Sequence, residues 1–364
     1  MKLKYESEWQ YSLTKTYQAV SKLKCISDCS QTLNCKLITF NKLNNTCNYY
    51  SKYFNDDGQT NLIESNGDFI YDYKSNVYNL EGVQYRNVSA GCQVASLILL
   101  PNNNLASVCY NISGLIKIWR TATWASILSF QHGADVFQLA ILRNKYLVSG
   151  GYDSLIKIWD FNNGQLINTI SGHTGYVRSI AVLNNNDIAS GSADFTAKIW
   201  DSVNRSLKFT LIESSSIYGL VQLKNGSLVT ISWGGLIRTW NPYTGSLLNT
   251  INVTDSQTTV IQLKNGNLII GNTKAQLKIY DSTTLELKNT LSSQTGWING
   301  IIQLQNSDFA SCSSGENTIK IWDFKSKTVK RTLTGHTNEV RSFAELPNGY
   351  LVSAGFDSRI IIWK

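Results

Sequence analysis

Three sets of residues in this sequence could, by type, perform acyl transfer: His132 with Ser149 and Asp153, His173 with Ser190 and Asp194, and His336 with Ser353 and Asp357. A hydroxyl, an imidazole and a carboxylate are what a hydrolase uses as nucleophile, general base and orienting group. Each set keeps the same order and intervals, and together the sets use all 3 histidines of the chain. One active site needs one triad, so threefold repetition argues for a structural use. The three aspartates could be suspected as metal ligands, but they lie far apart in sequence and each has a histidine of its own set. No Gly-rich phosphate loop, Gly-x-Ser-x-Gly elbow or marked carboxylate pair is present. The expectation is an unreactive protein with no catalytic residue, no metal and no cofactor.

The second constellation is Cys25, Cys29, Cys35 and Cys47, four of the 7 cysteines. Ser21 can cap a helix over Ser21 to Cys29 that puts Cys25 and Cys29 on one face. Cys35 to Phe40, Cys47 to Tyr50 and Asp68 to Tyr73 read as short strands. Three pairings are open to four cysteines, and bridges would staple a module too small to hold a secure core alone. A zinc site and free thiols are the rival readings. Cys92, Cys109 and Cys312 fall among apolar residues and read as small buried hydrophobes.

The elements that position the first constellation follow from a period. Ile116-Lys-Ile-Trp119, Ile156-Lys-Ile-Trp159, Ala197-Lys-Ile-Trp200, Ile237-Arg-Thr-Trp240, Leu277-Lys-Ile-Tyr280, Ile319-Lys-Ile-Trp322 and Ile361-Ile-Trp363 recur about every 40 to 42 residues. One unit shows four strands: Val177 to Leu183, Asp187 to Ser190, Phe195 to Trp200 and Leu207 to Ile212. Asn184 to Asn186 and the Asn-Gly pairs at 225, 265 and 348 sit where the first strand turns into the second, supplying the positive φ of a tight hairpin.

In this period and these residues the chain resembles the WD-repeat family. The resemblance implies a mainly β fold: a seven-bladed β-propeller of four-stranded antiparallel blades over residues 82–364. It implies hydrogen-bonded His, Ser/Thr, Asp and Trp tetrads: His132, Ser149, Asp153 and Trp159 with Gln131 in place of glycine; His173, Ser190, Asp194 and Trp200; His336, Ser353, Asp357 and Trp363. The other four blades depart, with Gly234 after Thr230, Tyr280 for Trp and Gln294 for His, and are expected to lean on packing. The last unit reaches Lys364 on its third strand, and Gly82 to Val88 is expected to supply the missing outer strand, closing the ring and removing free edges.

Residues 1–81 resemble the core of PAN/apple modules, a small α+β disulfide-type domain, and that resemblance implies bridges from Cys25 to Cys47 and from Cys29 to Cys35. Bridges place the protein outside the cell; without them it is cytoplasmic. Glu6 and Glu8 interrupt the stretch where a signal peptide would have its apolar core, so no secretory signal is expected. Asn-x-Ser/Thr sites such as Asn87-Val-Ser89 and Asn111-Ile-Ser113 decide nothing in a chain so rich in Asn. No apolar run has the length of a membrane span.

The net charge is +8, but Lys117, Lys157, Lys198, Arg238, Lys278 and Lys320 recur two residues before the repeat aromatic and spread the charge around the ring, which argues against nucleic acid. WD-repeat propellers use the narrow face around the channel for partners. The positions implied are Gln93, Ala95, Tyr110, Asp135, Phe137, Tyr152, Tyr176, Arg178, Ala193, Ser216, Tyr218, Trp233, Trp297, Asn299, Glu339, Arg341 and Phe356. Tyr, Trp and Arg dominate binding hot spots because they bury much area and keep a polar end. The expected function is a non-catalytic scaffold binding a peptide or protein, with Trp233, Trp297, Tyr152 and Tyr176 as anchors and Arg178 and Arg341 available for a carboxylate. The alternative is an extracellular adhesion or lectin-like protein that recognises protein or glycan through the PAN/apple-like module. Trp9 and Trp124 are expected only to pack.

Overall fold

The computed structural model describes residues 84–364 apart from Asn144; of the preceding stretch it describes the backbone of four strands. The chain divides into two compact units, 1–80 and 81–364. In the first, Ser12–Gln18, Thr46–Ser51, Leu37–Asn41 and Phe69–Asp72 form an antiparallel sheet in that spatial order. The first of these strands was not anticipated. The expected helix over residues 21–29, the side chains of Cys25, Cys29, Cys35 and Cys47, and Trp9 lie outside the described residues.

The second unit is a seven-bladed β-propeller, each blade a four-stranded antiparallel sheet whose strands a, b, c and d follow chain order in blades one to six. In blade three these are Val177–Val182, Ile188–Ser192, Thr196–Trp200 and Leu207–Ile212. Strand b is buried along its whole length in every blade, so its residues are apolar or small. Strand d is the opposite case: Leu166, Leu207, Leu247 and Leu287 are exposed on the rim. Among the described residues there is no helix, and hence none long and apolar enough to cross a membrane.

Ring closure follows the expected device. Blade seven takes strands a to c from Val340–Glu345, Leu351–Gly355 and Arg359–Trp363, and its outer strand is Gln84–Ser89. Arg359 pairs with Ser89, Ile361 with Asn87 and Trp363 with Gln84. The core lies in seven apolar wedges between neighbouring blades, and one of them joins Leu346, Ile360 and Ile362 of blade seven to Leu97, Trp119 and Trp124 of blade one. Burying apolar area across the seam is what holds the two ends of the ring together. Trp124 packs, as expected.

The a–b turns take the positive φ that Asn and Gly tolerate: Gly226, Gly266 and Gly349 at 91°, 92° and 82°, and Asn186 at 73° in blade three. Two β-bulges recur around the ring. One falls just before the repeat aromatic on strand c, and the other skips the second residue of strand a. A bulged residue is left out of the ladder and its side chain is re-aimed, which decides the site.

Candidate functional site

The bulged residue of strand a is Ala95, Phe137, Arg178, Tyr218, Thr258, Asn299 or Arg341 in blades one to seven. All seven line one cavity of about 430 Å³ in the central channel, with Trp297 beside them. Two further positions per blade are tied together at its mouth. The backbone N–H of Tyr110 donates to the Gln93 carbonyl at 2.7 Å, that of Tyr152 to Asp135 at 2.8 Å, Ala193 to Tyr176 at 3.0 Å, Trp233 to Ser216 at 2.9 Å, and Phe356 to Glu339 at 2.8 Å. Blades five and six make the same bond from Thr273 to Ser256 and from Ser314 to Trp297. One bulge and one hydrogen bond per blade thus assemble every position named from sequence on one face.

Sequence reasoning missed Ser256, Thr258, Thr273 and Ser314 there. Blade five lacks the His, Ser and Asp that set the frame elsewhere, but counting back from Tyr280 by the period would have found three of them.

The side chains form an aromatic arc. Phe137, Tyr152 and Tyr176 have ring centroids 4.8, 4.9 and 5.7 Å apart. Tyr218 lies 4.9 Å from Trp233, which meets Trp297 edge-on at 5.2 Å. Tyr110 stacks on Phe356 at 5.3 Å across the blade seven to blade one seam. Tyr152 and Trp297 are the most open, at 46% and 47% exposure. Burial first, and then the neighbouring phenols Tyr110 and Tyr176, push the Tyr152 hydroxyl above the usual phenol range. Arg178 lies 3.8 Å over Tyr218 and 4.8 Å over Phe137, and Arg341 lies 4.8 Å over Phe356. Each contact is of cation–π type.

The His-Ser-Asp sets sit away from this face's cavity, inside the blades. His173 Nε2 is 2.7 Å from Ser190 Oγ and Nδ1 is 2.7 Å from Asp194 Oδ2, while the Trp200 indole donates to the same Ser190 oxygen at 2.7 Å. His336, Ser353, Asp357 and Trp363 repeat this at 2.7, 2.8 and 2.7 Å. In blade two the ring is turned over: His132 Nδ1 faces Ser149 at 2.8 Å, Nε2 faces Asp153 at 3.1 Å, and Trp159 donates to Ser149 at 2.8 Å. Ser149, Ser190 and Ser353 are fully buried, so no substrate reaches them. Gly172 and Gly335 precede the histidines with φ of 140° and 159°, and a Cβ on either would press on the tetrad Trp at 2.9 or 3.0 Å.

The remaining blades do not rest on packing alone, which corrects the expectation for them. In blade four Glu213 fills the His position, accepts the Thr230 hydroxyl at 2.6 Å and pairs with Arg238 at 2.7 Å; Trp240 donates to Thr230 at 3.0 Å. In blade six Gln294 accepts the Ser311 hydroxyl at 2.5 Å, and Trp322 donates to Ser311 at 2.8 Å. In blade one Trp119 donates to Ser107 at 2.8 Å. Blade five has Val253, Ile270 and Lys274 at the His, Ser and Asp positions, and Asp255, two residues beyond the His position, pairs with both Lys274 and Lys278 at 2.5 Å. Two of the recurrent basic residues bond within their own blades: in blade one Lys117 donates to the Ala90 carbonyl at 2.6 Å, and in blade two Lys157 donates to that of His132.

Cys92 and Cys109 were read as separate buried hydrophobes, but they are bonded to each other. Cys92 lies in the bend before strand a and Cys109 ends strand b, so the blade's own fold brings them within a Cα–Cα distance of 5.6 Å, ordinary for a bridge. Cys312 is a buried free thiol, its pKa pushed far up by burial. No group of three or more His, Cys, Asp or Glu suited to a metal exists among the described residues.

Four stretches match the WD domain, G-beta repeat family: 125–160, 164–201, 285–323 and 327–364. Each runs from the outer strand of one blade through strand c of the next, and the interval 202–284 between the second and third holds blades four and five, where Glu213 and Val253 take the His position. The chain thus carries WD repeats arranged as a seven-bladed propeller. It is 34% identical over 80 residues to the pre-mRNA-splicing factor PRP46 of Candida albicans, covering 21% of this chain and 20% of that protein. It is 30% identical over 79 residues to the ribosome biogenesis protein WDR12 homolog of Nematostella vectensis, covering 21% and 19%. The chain therefore spans about a fifth of each relative's length.

Proposed function

We propose that this chain is a non-catalytic interaction protein that binds a peptide or loop of a protein partner on the channel face, the narrow face of the family resemblance. The observation that carries this is the arc of Phe137, Tyr152, Tyr176, Tyr218, Trp233 and Trp297 around an open cavity of about 430 Å³. Rings left half-covered at a concave mouth lose exposed apolar area when a partner docks, at a small cost in side-chain entropy. Both relatives are named for roles in splicing or ribosome biogenesis, which accords with a scaffold. The burial of the tetrad serines supports a structural use of the His-Ser-Asp sets.

The test is to isolate partners with the full chain, then measure the affinity of each for Trp233→Ala with Trp297→Ala. A loss of tenfold or more, on the order of 1.4 kcal/mol, is expected; an unchanged affinity refutes the reading.

The Cys92–Cys109 bond favours a second reading of the setting, since disulfides persist in oxidising compartments. On that reading the same face meets an extracellular protein. Mass mapping of unreduced protein from its native source, finding Cys92 and Cys109 as free thiols, would remove it.

A further inference from the structure

The two arginines of the cavity are in different states. Arg341 is answered: it lies 3.4 Å from Glu339 Oε2 and donates to Asn299 Oδ1 at 3.1 Å. Arg178 is not. Among the described residues no carboxylate lies within ion-pair distance of it, and its Nε is buried without a hydrogen-bond partner. Its guanidinium is held between the rings of Tyr218, Phe137 and Tyr176 at 3.8, 4.8 and 5.6 Å.

A half-buried cation without a counter-charge has lost hydration that its neighbours return only in part. Aromatic faces recover some of it and the Tyr218 hydroxyl interacts with the guanidinium, but the Nε–H is left without an acceptor and no carboxylate balances the charge. They also fix the guanidinium plane, so an arriving anion meets a positioned donor rather than a flexible one. Because the chain's own Arg178 already occupies these ring faces, this corner of the arc is closed to a cationic side chain from a partner and open to an anionic one. The other acid among the face positions, Asp135, is outside the cavity lining and outside ion-pair distance of both arginines.

We infer that Arg178 reads a carboxylate, and that the partner segment carries an Asp or Glu side chain seated in the channel mouth against this guanidinium, beside an apolar residue on Trp233 and Trp297. This rests on the binding reading above and adds the chemistry of the ligand.

The experiment is selection of a random peptide library displayed on phage against the full chain, followed by binding of the synthetic consensus peptide. An acidic residue at one fixed position of the consensus is expected. Replacing it by its amide should weaken binding by about 10- to 100-fold, as for a lost charge-assisted hydrogen bond. Arg178→Gln should weaken it equally, with no further loss when the two changes are combined. The peptide's own substitution keeps the test valid if Arg178→Gln folds poorly. A consensus without an acidic position, yet dependent on Trp233 and Trp297, overturns this inference and leaves the binding reading intact. Binding indifferent to those tryptophans, or no enriched peptide, overturns both.

Discussion

Inside blade four the Glu213 carboxylate accepts the Thr230 hydroxyl at 2.6 Å, while in blade three the imidazole of His173 makes the corresponding contact to Ser190. The two blades solve one problem with different chemistry: a buried hydroxyl that receives the repeat indole must itself find an acceptor. Glu213 also neutralises Arg238, the residue two before Trp240. Burial pushes the Glu213 carboxyl above its usual range, against the pull of Thr230 and Arg238. Removing it leaves the buried Thr230 hydroxyl without an acceptor and the largely buried Arg238 guanidinium without a counter-charge, although Trp240 still donates to Thr230 and Arg238 to the Ile212 carbonyl. Glu213→Ala is therefore expected to destabilise the propeller by about 2–4 kcal/mol, read from urea unfolding. Glu213→Gln keeps an acceptor for Thr230 and should cost less. A neutral alanine variant would show that blade four is held by its apolar wedge alone.

Blade five offers the opposite case. Tyr280 stands for Trp, its partner position on strand b is Ile270, and its hydroxyl is buried without a hydrogen bond. Burial, and then the charge of Asp255, push this phenol up to about 12. Tyr280→Phe removes a desolvated polar group and keeps the ring. Its expected effect is between none and a gain of about 1 kcal/mol. A loss of that size in thermal unfolding would mean that the hydroxyl has a partner.

These two blades also mark how far the sequence could be read. The period of the repeat aromatics carried blade number, strand order and closure, because each aromatic must fill the same wedge between blades. The face positions were legible for the same reason: their distance from the His position is set by the strand a bulge. Glu213 was not, because a residue that fills the His position with a different charge breaks the pattern by which the position is recognised; Asp255 was not, because it stands two residues beyond the His position, which is Val253 in blade five. The bond between Cys92 and Cys109 was missed because each was judged by its apolar neighbours, without asking what the blade places opposite it.

That bond joins the two residues that immediately precede the face positions Gln93 and Tyr110. It spans a sequence separation of 17, for which chain entropy gives a stabilisation of about 3 kcal/mol. Cys92→Ala with Cys109→Ala is expected to lower the unfolding midpoint by several degrees. Reduction with dithiothreitol should then move the midpoint of the wild type more than that of the variant. Equal shifts in both would mean that this bridge contributes nothing.

Acid should weaken the propeller in two stages. Burial, only partly opposed by Asp194, holds the His173 pKa below its ordinary 6.5. The unfolded chain therefore binds this proton first, and the stability His173 contributes above pH 6.5 is lost as the pH falls toward its folded value. Asp153, Asp194 and Asp357 come next. Burial raises each, but hydrogen bonds from their histidines and from nearby backbone or hydroxyl groups outweigh it and hold each below the ordinary 3.8. Their contribution is present above pH 3.8 and lost below it. Glu213, raised above 4.5, works in the opposite sense, its contribution being present at low pH and lost as the pH rises. Glu345 is raised likewise, while Asp201, Asp255, Asp281 and Asp323 are also held low, so the lowered groups outnumber the raised ones and the urea midpoint is expected to fall from pH 7 to 5 and again below pH 4. His173→Gln borrows the solution of blade six, where Gln294 accepts the Ser311 hydroxyl, and removes the imidazole. The variant should lose part of the slope between pH 6.5 and 5 and keep the fall below pH 4. A slope unchanged in the variant would assign the first stage to groups other than His173.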